Sequence, residues 1–302
     1  LRSTPPPRHI FVKVNWDQIH FFVSQSLPAT VLCDIIKIKK GTAMKKIYTV
    51  TFSPTGTSKM VAGLISSAFD GEKIDIDLCM EKNRKLTADG DDLCVFSLPC
   101  YGGRVPHTAA ERLTGICGQS TPAIICVTFG NRDFEDSLLE LSDIVSENGF
   151  RVISACAAST EHNIIRVYGA GRPDETDIKE IKQFAADSLD KIISGCRKSP
   201  YIPGNRPYKQ WKAGDTPIIT DKDRCTGCGI CSSMCPVQAI SPDGKKTDTE
   251  VCIGCMRCIR ICPDGSRSLP EQYIAKLTEH LEPLCRSRKP NHFYLSETPV
   301  TP

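Results

Sequence analysis

Eight cysteines carry the strongest chemical signal in the chain. Cys225, Cys228, Cys231 and Cys235 are spaced C-x2-C-x2-C-x3-C and closed by Pro236; Cys252, Cys255, Cys258 and Cys262 repeat the pattern and are closed by Pro263. Three thiolates at i, i+3 and i+6 can wrap an iron–sulfur cubane corner by corner. Gly227, Gly229 and Gly254 between them let backbone amides approach the cluster sulfurs. In two-cluster arrangements the fourth cysteine of each run serves the other cluster. The expected sets are therefore Cys225, Cys228 and Cys231 with Cys262, and Cys252, Cys255 and Cys258 with Cys235. Paired zinc sites are the competing reading. Zinc favours two C-x2-4-C knuckles across a longer spacer, which these gaps match poorly. The chemistry expected of the block is the passing of single electrons.

A second candidate is Ser53-Pro54-Thr55-Gly56-Thr57-Ser58, between an apolar run and a helical pattern. At such a junction the first helical N–H groups lack partners, and they and the helix dipole favour an anion. Gly56 permits the tight turn, and the hydroxyls of Ser53, Thr55, Thr57 and Ser58 add donors without a full charge. An ordinary Ser/Thr capping box is the alternative. The stretch is not G-x-x-x-x-G-K-[ST], and no G-x-G-x-x-G follows this strand; Gly169-Ala170-Gly171 lacks the third glycine. Two further loops, Pro99-Cys100-Tyr101-Gly102-Gly103-Arg104 and Thr128-Phe129-Gly130-Asn131-Arg132, set an aromatic beside glycine-permitted backbone. Such loops suit a flat ring, on which Tyr101 would stack. Glu161 and His162 follow a fifth strand, where the histidine either tunes a bound ring or sits in a surface loop.

The elements that must position these residues alternate. Periodicity predicts strands at 46–52, 73–78, 93–98, 123–127 and 152–157, and helices at 57–69, 106–116, 133–147 and 174–193. Asp174 or Asp177 caps the last of these. Five strands alternating with helices imply a doubly wound five-stranded parallel sheet, with ligands bound beyond the carboxyl ends of its strands. That places 53–58, 99–104 and 128–133 at one edge. A further helix near 270–284 carries Ile274, Leu277, Leu281 and Leu284 on one face and is expected to pack back on a domain.

The domains expected are 44–195, a linker at 196–216 rich in Pro and Gly, an iron–sulfur domain at 217–268, and a C-terminal helix and tail at 269–302. Residues 1–43 precede the first methionine, Met44, and read as a disordered leader or an upstream translation artefact. A net charge of +3 over 302 residues gives no reason to expect nucleic acid as a partner. No run of 18 or more apolar residues predicts a membrane span. The nine cysteines outside the block mostly read as small core hydrophobes, and free thiols with thiolate ligands point to a reducing cytoplasm.

Two resemblances add to this. Residues 217–268 resemble a bacterial two-cluster [4Fe-4S] ferredoxin, a small α+β domain. Residues 45–195 resemble a flavodoxin, whose phosphate loop reads [ST]-x-T-G-x-T. Together, 45–270 are similar to the flavodoxin–ferredoxin fusions called EFR1 family ferredoxins, through 52–58, Phe129-Gly130-Asn131-Arg132, Glu161-His162 and Gly171-Arg172-Pro173-Asp174. The resemblance implies FMN, its phosphate held by Ser53, Thr55, Gly56, Thr57 and Ser58 and its ring bordered by Tyr101, Gly102, Phe129, Gly130 and Asn131. The function expected is electron transfer between FMN, two [4Fe-4S] clusters and redox partner proteins. The alternative is an FMN-dependent iron–sulfur reductase acting on a small molecule. No nicotinamide site or catalytic triad is recognisable, which favours a carrier over a self-contained oxidoreductase.

Overall fold

The computed structural model describes residues 44–210 and 216–296, so the leader expected at 1–43 lies outside the described residues. The first lobe runs β1 (Lys46–Thr51), α1 (Thr57–Ser66), β2 (Glu72–Asp77), β3 (Leu86–Ala88), β4 (Leu93–Pro99), α2 (His107–Leu113), β5 (Ile116–Gly118), β6 (Thr121–Phe129), α3 (Ser137–Glu147), β7 (Phe150–Ser159) and α4 (Glu175–Ile193). The second runs β8 (Ile219–Thr220), the one-turn helices α5 (Ile230–Ser233) and α6 (Arg257–Arg260), and β9 (Arg267–Ser268). Then α7 (Glu271–Cys285) and β10 (His292–Leu295) return the chain to the first lobe.

The main sheet has the order β10-β7-β6-β4-β1-β2. Its five parallel strands follow the flavodoxin-like pattern, in which β1 lies between the second strand and the third of the series. β4 and β6 are buried at every residue, as central parallel strands must be. Side chains alternate between two faces. Val50, Phe52, Phe96, Leu98, Ile125 and Val127 pack under α2 and α3, while Ile47, Val95, Ile124 and Cys126 pack under α1 and α4. The charged edge strand β2 (EKIDID) closes one side of the sheet. Chain order reverses at β1, so the switch point lies beyond the carboxyl ends of β1 and β4.

The expected five strands become six. β10 adds antiparallel to β7, with His292 opposite Ala157 and Leu295 opposite Ser154. Its four residues carry no period of their own, and their pairing is set by a strand far back in the chain. A capping box of Asp174 and Asp177 starts α4. Asp177 is buried, and its carboxylate pairs with the buried guanidinium of Arg172 at 2.6 Å. Burial pushes the Asp177 carboxyl up, but Arg172 and the neighbouring donors outweigh it and hold the group below the usual range. The returning tail joins the same knot. Arg172 Nη1 donates to the Lys289 carbonyl at 2.6 Å, and Arg288 and Asn291 donate to Asp177 at 2.9 Å. α7 packs Leu281 and Cys285 on Ile165 and Tyr168. Leu284, expected on that stripe, is 41% exposed, and Cys285 takes the inward place.

Six of the nine cysteines outside the block (Cys79, Cys94, Cys126, Cys156, Cys196 and Cys285) are buried, which fits a packing role; Cys33 lies outside the described residues. Within the segment expected as a linker, residues 202–208 lie against the first lobe. Ile202 enters its core, and Asn205, Arg206 and Tyr208 bond Asp136 and Asp143.

Substituting Asp177→Ala strands the Arg172 charge in the interior. This should destabilise the first lobe by about 3–5 kcal/mol. Limited proteolysis should then cleave past residue 285 faster than in the parent chain.

Candidate functional site

The junction between β1 and α1 begins with Gly56 at φ +94°, a left-handed conformation that favours glycine. A Cβ there would meet nothing within 4 Å, so the backbone faces open space. The N-cap residue Gly56 has no side chain to cap α1, and the first turn holds no carboxylate. The capping-box alternative is thus not what forms. The Lys59 amide donates to Ser53 Oγ at 3.0 Å, and Lys59 Nζ pairs with Asp75 at 3.1 Å on the exposed surface. Thr55 and Thr57 are half-buried; Ser58 is buried and shares a 2.8 Å hydrogen bond with Thr128, which ties the loop to the end of β6. The helix end and the two half-buried hydroxyls are suited to an anion.

The turn after β4 closes on itself, since Tyr101 and Arg104 exchange backbone hydrogen bonds of 2.9 and 3.1 Å. Arg104 anchors it with two 2.7 Å bonds to Glu140 and stacks 4.9 Å from the Tyr208 ring centre. Tyr101 is half-buried and Gly102 exposed. Burial raises the Tyr101 phenol well above its ordinary pKa, and nearby Cys255 and Cys79 add to the shift.

The loop after β6 departs from expectation in its side chains. Phe129 is 3% exposed, with its ring 5.6 Å from Phe134, so it belongs to the core. Asn131 Nδ2 donates to the Cys285 and Ser287 carbonyls at 2.8 and 3.0 Å, and its Oδ1 accepts from the Lys289 amide at 3.0 Å. The chain's own tail therefore occupies the amide expected to border a ring. Gly130 is required by packing, since a Cβ would lie 2.7 Å from His162 Cα. His162 Nδ1 accepts from the amides of Ile164 and Ile165 at 3.2 and 3.0 Å. Burial, and then Arg132, lowers its pKa to about 4. It is a neutral, turn-forming histidine at pH 7.

The cysteine block folds around two cavities. One, about 290 Å³ with its open mouth included, is lined by Cys225, Cys228, Cys231 and Cys262. The other, about 320 Å³, is lined by Cys235, Cys252, Cys255 and Cys258. Each cavity thus gathers three cysteines of one run and the fourth of the other. The two repeats share a backbone. Gly227 and Gly254 are left-handed at φ +71° and +62°, and Gly229 and Met256 at +73° and +61° each precede a one-turn helix carrying the third cysteine. A non-glycine residue in that conformation shows that cavity geometry outweighs local preference. Among the described residues, no three His, Cys, Asp or Glu side chains form a group suited to a single metal ion.

The two cavities differ in surroundings. The first has exposed Cys228 and polar walls with Thr226, Asp243, Asp264 and Ser266. Ser266 donates to Cys262 Sγ from its amide at 3.4 Å, and its hydroxyl lies at 3.2 Å. Burial pushes the Cys262 thiol up, but these bonds outweigh it and hold it below its ordinary pKa. The second is walled by Ile218, Val237, Ala239, Ile240, Ile253 and Met256. Burial pushes the Cys255 thiol up to about 12 and raises Cys252 and Cys258 as well. Such thiols ionise only when a positive partner arrives, which suits thiolate ligation.

The second cavity is the one next to the sheet. Arg112 donates to the Leu78 and Cys79 carbonyls and, at 2.6 Å, to that of Pro236, which follows Cys235. Ile253 packs on the sheet core, and Asn163 reaches the Gly254 carbonyl at 3.5 Å. We call this cavity proximal and the other distal. Sequence reasoning missed Arg112 and Asn163, which carry no local signal. It also passed over Arg257, although this arginine stands inside the second thiol run.

Residues 217–273 match the family described as the 4Fe-4S dicluster domain. No curated protein matches the chain. Solved structures similar to it include a flavodoxin from the domain Archaea, at 14% identity and TM-score 0.32, covering 49% of this chain and 99% of that one. The Streptococcus pneumoniae TIGR4 flavodoxin matches at 16% and 0.33, covering 48% and 99%. Oxidised Flavodoxin 2 from Bacillus cereus matches at 12% and 0.36, again covering 48% and 99%. The strand order of the first lobe is itself flavodoxin-like, and the match to the 4Fe-4S dicluster domain follows that lobe in the chain. No helix among the described residues is long and apolar enough to cross a membrane.

His162 makes the 162–165 turn acid-sensitive. Between pH 6.5 and about 4 the opened turn takes up a proton that the closed turn refuses, so protection falls as pH falls. Hydrogen exchange should show the Ile164 and Ile165 amides losing about tenfold in protection between pH 7 and pH 5. The dependence should vanish in His162→Gln.

Proposed function

We propose that this protein is an electron carrier that links FMN to two [4Fe-4S] clusters and, through them, to redox partner proteins. The observation that carries the reading is adjacency. The proximal thiol quartet rests on the same sheet edge as the Ser53–Ser58 loop and the Tyr101 turn, held there by the bond of Arg112 to the Pro236 carbonyl and by Ile253 in the sheet core. In this reading Cys225, Cys228, Cys231 and Cys262 hold the distal cluster, and Cys235, Cys252, Cys255 and Cys258 the proximal one. The α1 N-terminus, Thr55, Thr57 and Ser53 hold the FMN phosphate. Tyr101 and Gly102 border the ring, with the backbone at Phe129, Gly130 and Asn131 opposite. The Phe129 and Asn131 side chains take no part, because core and tail hold them.

Bound clusters supply one-electron transfer, and a bound flavin can take electrons singly and hold a pair. The chain's own residues set the path. Arg112 and Ile253 keep the proximal quartet against the sheet, and apolar walls keep water from it. The distal quartet, with exposed Cys228, is where a partner exchanges electrons. Cys225, Cys228, Cys231 and Cys262 would hold the cluster open to a partner, and Cys235, Cys252, Cys255 and Cys258 the cluster nearer the Ser53–Ser58 loop. Burial and hydrogen bonding to sulfur both shift cluster potentials, so the polar distal and apolar proximal sites are expected to differ. The composition of two joined redox domains supports the flavodoxin–ferredoxin fusion reading. A cytoplasmic setting, where thiolates stay reduced, belongs to the same proposal.

Protein purified without oxygen should hold about eight iron atoms per chain and release FMN on denaturation. Cys228→Ser and Cys255→Ser should each deplete one cluster, leaving the other visible by electron paramagnetic resonance. Gly56→Val should abolish flavin retention with iron unchanged, because a branched side chain disfavours φ +94°. Zinc in place of iron would end the cluster reading, and failure to bind FMN after reconstitution would end the flavin reading.

A further inference from the structure

Two arginines of the cluster lobe are buried without a carboxylate partner. Arg267 is 3% exposed and Arg257 8%. Nε of Arg267, and Nε and Nη1 of Arg257, are buried with no hydrogen-bond partner. Among the described residues neither arginine forms an ion pair, whereas the similarly buried Arg172 has Asp177. Arg267 lines the distal cavity; its Nη1 donates to the Gly244 carbonyl at 2.6 Å and to Thr220 Oγ1 at 3.1 Å, and lies 3.9 Å from Cys231 Sγ. Its Nη2 donates to Thr247 Oγ1. Arg257 lines the proximal cavity, between Cys255 and Cys258 in the chain, but the guanidinium that bears on the Cys252 and Cys258 thiols of that cavity is again that of Arg267.

A guanidinium taken out of water and given only neutral acceptors is not compensated for its lost hydration. The carboxylates on the distal wall do not serve. Asp264 accepts from Thr226, and Asp243 accepts from Ser241 and the Lys245 amide. The negative charge must come from what the cavities are built to hold. In a [4Fe-4S] cluster four thiolates outweigh the charge of the iron–sulfide core, so the assembly is anionic. Reduction adds one electron and makes it more so. A fixed cation beside it therefore favours the reduced form.

We propose that Arg267, set between the two quartets, is a buried counter-ion of both clusters and Arg257 a second one at the proximal cavity, and that each raises the reduction potential of the clusters it faces. The proposal rests on the cluster reading. The two arginines act on the clusters without ligating them, through charge and donated hydrogen bonds.

The test uses the full holo-chain, purified without oxygen, as Arg257→Gln, Arg267→Gln and the two Lys counterparts. Each is poised at the parent's cluster midpoint with dithionite and mediators, and reduced cluster is counted by electron paramagnetic resonance beside iron content. In the Gln variants the ratio of reduced to oxidised cluster should fall about tenfold, equivalent to about 59 mV for one electron. The Lys variants should stay within about threefold of the parent, since the charge remains. A Gln variant that is loaded and unshifted overturns the proposal, as does a Lys variant shifted as far as its Gln counterpart. If Gln blocks cluster loading, loaded Lys protein still supports a counter-ion, and failure of both overturns it. A parent chain without iron would overturn the cluster reading itself, which keeps the two failures apart.

Discussion

The buried pair of Arg172 and Asp177 is the contact on which the arrangement of the chain's distant parts depends. It sits where β7 ends and α4 begins, and each partner has a second duty toward the returning tail. Arg172 donates to Ser159 and to the Lys289 carbonyl; Asp177 takes donors from Arg288 and Asn291 as well as closing the capping box. Because neither charge reaches water, neither can be left alone without a large penalty. The pair therefore works as a registration point. With it formed, β10 falls beside β7, and α7 lies across Ile165 and Tyr168. The loop so covered carries Asn163 and Ile164, which meet the cluster lobe.

The two lobes differ in what holds them together. The sheet lobe has a sufficient core of its own, packed on both faces. The cluster lobe has a small one, formed by Ile218, Ile240, Met256 and two of its cysteines. Small domains with so little apolar burial draw stability from what they bind. The raised thiols of Cys252, Cys255 and Cys258 and the unpaired arginines point the same way. The lobe holds latent charge of both signs, which becomes favourable once the cavities are filled.

Much of the site was legible because its chemistry is local. A C-x2-C-x2-C-x3-C run sets how far each thiol can reach, and the repeat supplies the crossed fourth partner. The single glycine of SPTGTS, Gly56, and the strand before it mark a helix start for the same reason. What could not be read lies in long-range contacts. Phe129 and Asn131 look alike as loop residues beside a glycine, yet one joins a core aromatic group and the other binds a tail over 150 positions away. His162 gives no sign in the sequence that its ring nitrogen closes a turn. β10 has four residues and no periodicity to betray it.

By itself, the sequence determined the five parallel strands, the two thiol runs and the position of the glycine-bearing loop, because hydrophobic period and ligand spacing are properties of neighbours along the chain. Tertiary structure alone decided which quartet faces the sheet, which aromatic is free to meet a ring, and which arginines lose their water. Those outcomes depend on which surfaces exclude solvent together, and that is settled only when Arg112, Arg172 and the C-terminal strand bring distant segments into contact.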